Sequence, residues 1–92
     1  MDHLPGVLVK VNLERAVFEY ALVFRRYAEK QITTDYKNYI LDLSKTMFLD
    51  STFLGSIIAI MKKINKMGGT LRVVVNSKKM VLISQGSVNN IV

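Results

Sequence analysis

The stretch from Tyr39 to Asn76 reads YILDLSKTMFLDSTFLGSIIAIMKKINKMGGTLRVVVN, and it decides the fold. Its first part, Tyr39–Leu43, is mostly apolar and predicts a buried strand at the centre of a sheet. After Asp50, apolar residues recur at steps of three and four, which indicates one face of a helix. These residues are Leu54, Ile57, Ile58, Met61 and Ile64. A strand, a helix and a second strand of these lengths predict a βαβ unit with parallel strands.

The two ends of this predicted helix carry recognisable signals. Asp50, Ser51 and Thr52 stand just before or at its start, and any of the three can accept a free backbone N–H as a cap. Gly68 and Gly69 predict its end, because glycine readily takes the left-handed conformation that a C-cap needs. The run Leu71–Val75 contains three consecutive valines, which is typical of a strand buried on both faces.

The flanking segments complete the predicted order of elements. Val7–Val11 predicts a strand, and Asn12 is a candidate N-cap for a helix from Leu13 to about Gln31. The apolar face of that helix is expected to consist of Leu13, Ala16, Val17, Tyr20, Ala21, Phe24 and Ala28. Lys78–Gln85 predicts a short third helix that buries Met80, Val81 and either Leu82 or Ile83. Val88–Val92 predicts a brief last strand or a short stub.

Phe18 and Leu22 depart from the pattern of the first helix. They lie one turn apart within its polar arc. Either another element or a chain end folding back covers them, or they form a surface for a partner or a second copy, because exposing two large apolar side chains to water is unfavourable.

Asp42 is the only charged residue in the run Tyr39–Leu43. It is expected near the carboxyl end of that strand, where loops and ligands gather in open α/β sheets. We favour a hydrogen-bond acceptor for neighbouring loop amides, or a surface residue, over a ligand site.

Composition narrows the function. The 92 residues are enough for one domain, residues 1–92, and the absence of cysteine excludes disulfides, thiolate metal sites and a cysteine nucleophile. With His3 as the one histidine, seven dispersed acidic residues and no glycine loop ahead of a helix, we expect neither an enzyme nor a metal or cofactor site. No apolar run suits membrane insertion and no signal peptide is apparent, so we expect a cytoplasmic protein.

The net charge of +6 permits binding to nucleic acid, an anionic membrane surface or an acidic protein. A solvated lysine-rich surface is the favoured explanation, because no nucleic-acid motif accompanies the charge. The lysines that would carry such binding are Lys62, Lys63, Lys66, Lys78 and Lys79.

Residues 39–76 resemble the STAS domain, the fold of bacterial anti-sigma-factor antagonists. The resemblance lies in the pattern LDLS, FLDST-x-LG, KK and GG-x-L-x-VV. The matching positions are Asp42, Asp50, Ser51, Leu54, Gly55 and Gly69. Thr52 stands where the family motif has a second serine and Phe53 where it has a glycine; helical phase predicts that Phe53 points inward.

The resemblance implies a fold and a function. The fold is a small STAS-like α/β domain with a mostly parallel or mixed sheet of four to five strands, shortened at both ends. The function is that of an anti-sigma-factor antagonist: a module that binds an anti-sigma factor with serine kinase activity and is released when Ser51 is phosphorylated. By the same resemblance, Asp50, Thr52, Leu54 and Gly55 are expected to contact the partner.

Two other functions remain open. One is a non-switching STAS-like scaffold or regulatory subunit of a larger complex, in stress signalling or lipid transport, with Ser51 acting only as a helix cap. Self-association is also a fair expectation, because the shortened ends leave sheet edges exposed. The second alternative function is binding to nucleic acid or an anionic surface, and we do not expect it.

Overall fold

The computed structural model describes residues 6–76, 78 and 80–83. Six strands and two helices are assigned in this part of the chain. In chain order they are β1 (Gly6–Lys10), β2 (Arg15–Ala16), α1 (Phe18–Gln31), β3 (Asn38–Leu43), β4 (Phe48–Asp50), α2 (Ser51–Lys66), β5 (Thr70–Val75) and β6 (Val81–Ile83).

The strands form two three-stranded parallel sheets, ordered β1-β3-β5 and β2-β4-β6. The strands of the two sheets alternate along the chain. β1 is followed by β2, β3 by β4 and β5 by β6, with a few residues between the two members of each pair. The predicted α/β class, the parallel pairing of β3 with β5 and the central position of β3 are confirmed. The loops divide the predicted sheet of four to five strands into these two smaller sheets.

The core lies between the helices and one face of the first sheet. Along β3, Tyr39, Leu41 and Leu43 are buried, whereas the alternate residue Ile40 is exposed on the opposite face. Thr46, which is fully buried in the loop before β4, donates its hydroxyl to the carbonyl of Leu13 at 2.7 Å. This bond joins the loop between β3 and β4 to the loop between β1 and β2.

The first helix begins later than the sequence predicts. Asn12 is not its cap, and residues 13–17 lie outside it, because the backbone there pairs with the neighbouring strand segment. The carbonyl of Glu14 accepts from the amides of Met47 and Phe48, at 2.8 and 3.0 Å. The predicted face is confirmed at Ala21, Phe24 and Ala28 and is wrong at Tyr20, which is exposed.

The second helix follows the prediction closely at both ends but is rotated about its axis. Its buried residues are Phe53, Ile57, Ile60 and Ile64, whereas Ile58 from the predicted face is exposed. In this rotation the ring of Phe53 stacks on that of Phe24, with centroids 4.7 Å apart.

Two predictions near the carboxyl end of the described chain are wrong. Val73, Val74 and Val75 are exposed rather than buried on both faces, because β5 is an end strand of its sheet within the described residues. In place of a third helix, Val81–Ile83 forms β6, with the Val81 amide donating to the Met47 carbonyl at 2.7 Å. The free edge of β4 supplies the partner for this strand. Gln85 and the predicted last strand, Val88–Val92, lie outside the described residues.

The predicted glycine stop after α2 is confirmed. Gly68 has φ +80°, in the left-handed region, and its amide donates to the carbonyl of Asn65. Gly69 donates to the carbonyl of Ile64 and lies against the backbone of Lys37, which accepts from the amide of Thr70 at 2.8 Å. The close approach at Gly69 thus lets β5 start in register beside β3.

This geometry predicts opposite effects of alanine at two glycines. In Gly69→Ala, the new Cβ would lie 2.6 Å from the Lys37 carbonyl oxygen, so we expect the free energy of unfolding to fall by about 2 kcal/mol. In the control Gly55→Ala, on the open surface of α2, the Cβ would meet no atom within 4 Å. There we expect a gain of about 0.5–1 kcal/mol from helix propensity. Urea unfolding followed by circular dichroism measures both; a similar change in the two variants would contradict the close approach at Gly69.

Candidate functional site at the helix N-termini

One carboxylate joins the starts of the two helices. Asp50 is the N-cap residue of α2, with extended backbone at φ −96° and ψ 170°. Its Oδ1 accepts from the amide of Phe53 at 2.8 Å, and its Oδ2 accepts from the amide of Phe18 at 2.7 Å. We call this pair of hydrogen bonds the Asp50 bridge.

The Asp50 bridge is buried, since only 3% of Asp50 is exposed. Two helix N-termini, each with unpaired amides and the positive end of a helix dipole, meet at this one negative charge. α1 has no capping side chain of its own at Val17, so Asp50 supplies from β4 the acceptor that the local sequence lacks. The carboxylate therefore fixes where α1 starts relative to α2.

Ser51 lies immediately outside the bridge. It is the first residue of α2 and is exposed, and its hydroxyl makes no hydrogen bond with another residue that the structure describes. Thr52 is also exposed, and so is Gly55, one turn along the helix. We refer to Ser51, Thr52 and Gly55 as the Ser51 patch. The resemblance-based role of these residues in partner binding stays a prediction.

The other residues of the motif have inward-facing roles. Phe53 is fully buried, which confirms its predicted direction, so its ring does not stand between the Ser51 patch and an approaching protein. Leu54 is partly buried against the core. The carboxylate of Asp50 is taken up by two backbone amides, so a contribution of Asp50 to partner binding would act through the position that it gives to Ser51.

The sequence did not reveal that Phe18 belongs to the same end of the molecule. Its backbone is held by Asp50, 32 residues away in the chain, while its side chain is 55% exposed. Leu22, one turn further along α1, is 57% exposed. These exposures show that no described element covers the two side chains; whether a partner does so stays a prediction.

Asp42 has a separate, local role. Its Oδ1 accepts from the amide of Ser44 at 2.8 Å, as expected for an acceptor of loop amides. Hydrogen bonding from Ser44, with help from Lys10 and Lys45, lowers the pKa of Asp42 below its ordinary value. The carboxylate thus stabilises the turn between β3 and β4 and is not part of the Ser51 patch.

Neither a metal-ligand cluster nor a membrane-spanning helix is found in the part of the chain that the structure describes. Over residues 6–76, 78 and 80–83, no three His, Cys, Asp or Glu side chains come together as metal ligands. In that same part, no helix is both long and apolar enough to cross a membrane. Lys62, Lys63 and Lys66 are exposed on α2 and Lys78 is exposed after β5, whereas Lys79 lies outside the described residues.

Parallel strands, two helices packed on one face and an exposed serine at a helix start describe a small α/β domain whose two helix N-termini meet at one carboxylate. The family model of the STAS domain matches residues 5–84, and the chain belongs to that family. The family is one of regulatory and binding modules. No match was found among curated proteins or among solved structures.

The Asp50 bridge predicts an unusually large effect for an isosteric change. Asp50→Asn retains one acceptor oxygen but places an NH₂ group against the other backbone amide, so we expect the free energy of unfolding to fall by about 2 kcal/mol. Asp50→Ala removes both acceptors and should cost about 3 kcal/mol. Chemical unfolding measures both changes.

Asp42→Asn is the matched control, because the donors to Asp42 come from Ser44 alone, through its amide and its side chain, and an asparagine oxygen can still accept from the amide. Its stability at neutral pH should stay close to that of the wild type. Equal stability of Asp50→Asn and the wild type would show that the second hydrogen bond of the bridge contributes nothing.

Proposed function

We propose that this chain is a non-enzymatic regulatory binding module of the anti-sigma-factor-antagonist type, switched by phosphorylation of Ser51. The observation that carries the proposal is the exposed Ser51 hydroxyl at the first position of α2, beside a buried carboxylate that already caps the helix. Ser51 is therefore not needed as the cap, which leaves its hydroxyl available as an acceptor for a phosphoryl group.

The position of Ser51 suits a switch that changes the surface and leaves the fold in place. A phosphoryl group adds about −1.5 to −2 charges and strong acceptor oxygens, and a helix N-terminus tolerates negative charge. The amides of Phe18 and Phe53 stay bonded to Asp50, so the two helices need not move. The new charge would then act directly on a protein bound at the Ser51 patch.

The partner in this proposal is an anti-sigma factor that is also a serine kinase. Bound to the unmodified chain, it would be withdrawn from its sigma factor; transfer of the γ-phosphoryl group of ATP to the Ser51 oxygen would release ADP and a proton and break the complex. The surface offered is the Ser51 patch, with Leu54 beneath it and Phe18 adjoining it.

A second candidate is a scaffold or regulatory subunit of a larger assembly, in which Ser51 does not switch. The exposed apolar residues of α1 favour it, since five large ones are at least two-fifths exposed: Phe18, Tyr20, Leu22, Val23 and Tyr27. Such an amount of apolar surface on one helix suits a permanent interface.

Binding assays with charge variants separate the two candidates. Ser51→Asp should reduce retention of the kinase-like partner at least tenfold, because the added charge faces the partner (about 1.4 kcal/mol or more). Ser51→Ala should retain it, because Asp50 still caps α2. The measurement is a pull-down from host lysate with quantified partners, together with mapping of phosphate on the wild-type chain.

Asn65→Asp is the matched control, because it adds one charge at the exposed opposite end of α2. It should bind like the wild type. If Ser51→Asp keeps the same partners as the wild type and Ser51 carries no phosphate, the switch is excluded and the scaffold candidate remains.

A further inference from the structure

The outward face of α1 carries four residues at helical spacing. Glu19, Leu22, Val23 and Arg26 stand at positions i, i+3, i+4 and i+7, which share one face of a helix. The opposite face holds the buried residues Ala21, Phe24 and Ala28. Val23 is 69% exposed and Leu22 is 57% exposed, so the centre of this face is apolar and open to water. We call these four residues the α1 outer band.

The charges of the α1 outer band are arranged symmetrically. Glu19 and Arg26 lie at equal distances on either side of the midpoint between Leu22 and Val23. They are two turns apart, about 10 Å along the axis, which is too far for a direct ion pair within one helix. Neither makes an ion pair or side-chain hydrogen bond with a residue that the structure describes; the basic neighbour Arg25 is the one that pairs with Glu29, at 3.3 Å.

A second helix of the same sequence, placed antiparallel across this midpoint, fits the arrangement. Glu19 of each copy then comes level with Arg26 of the other. This gives two Glu–Arg ion pairs, one on each side of the centre. Leu22 of each copy then comes level with Val23 of the other, beside the twofold axis of an isologous interface. A parallel arrangement would instead bring Glu19 level with Glu19 and Arg26 level with Arg26.

We propose that the α1 outer band is a homodimer interface, in which two copies of this chain pair their first helices antiparallel about the Leu22–Val23 midpoint. The interface removes two exposed apolar side chains from water and satisfies two charges without an intramolecular partner. It does not use Ser51, Thr52 or Gly55, so it goes beyond the proposed switch and stands or falls independently of it.

The test is sedimentation equilibrium of the purified chain over a concentration series that reaches the upper micromolar range. The wild type should show a reversible monomer–dimer equilibrium. Glu19→Arg alone and Arg26→Glu alone each place two pairs of like charges face to face, and each should weaken the dimer at least about tenfold. The double variant Glu19→Arg/Arg26→Glu restores opposite charges and should return the affinity to near that of the wild type.

Two controls make the outcome decisive. Lys62→Glu makes a similar charge reversal on the exposed surface of α2 and should leave the dimer unchanged, and circular dichroism should show that every variant is folded. A wild type that stays monomeric throughout the series overturns the proposal. A dimer that survives both single variants, or a double variant that fails to restore it, overturns it as well.

Discussion

The rest of the structure depends on the carboxylate of Asp50, which accepts one backbone amide from the start of each helix. A buried negative charge is costly unless it is fully hydrogen-bonded, and two helix N-termini supply the donors that it needs. Because α1 has no cap of its own, its start is defined by a residue on β4 rather than by the residues that precede it. The bridge thereby places Phe18 next to the Ser51 end of α2 and sets the rotation in which Phe24 can stack on Phe53.

The same interaction supports the proposal of a switch at Ser51. Asp50 takes over the capping that a serine or threonine at a helix start would otherwise perform, so the neighbouring Ser51 contributes its hydroxyl to the surface. Charge added at Ser51 would therefore leave the cap of α2 in place, because Asp50 provides that cap. The proposed switch acts at Ser51 on α2 and the proposed dimer uses side chains of α1, so the two proposals name different residues.

Local patterns in the sequence predicted the elements whose signals are contiguous. The steps of apolar residues and the pair Gly68-Gly69 located α2, and the run Tyr39–Leu43 located the central strand. Long-range pairing decided the rest: Glu14 and Ala16 are helical in pattern, yet they pair with β4, and Val81–Ile83 adds to the same strand. The three valines of β5 predicted a strand buried on both faces. This prediction was wrong because the composition of a strand does not reveal that it lies at the end of its sheet. Near Ser51, helical phase predicted that Phe53 points inward, whereas the contact between Asp50 and Phe18 spans 32 residues and leaves no local signal.

Hydrogen exchange at the Phe18 and Phe53 amides, measured by NMR in the wild type and in Ser51→Asp, tests the central claim most directly. If one buried carboxylate holds both helix starts and the switch acts on the surface, both amides are strongly protected in the wild type and remain protected in the variant. A Phe18 amide that exchanges like an unprotected one in the wild type would contradict the Asp50 bridge. Loss of protection at both amides in Ser51→Asp would show that charge at Ser51 acts by rearranging the helices.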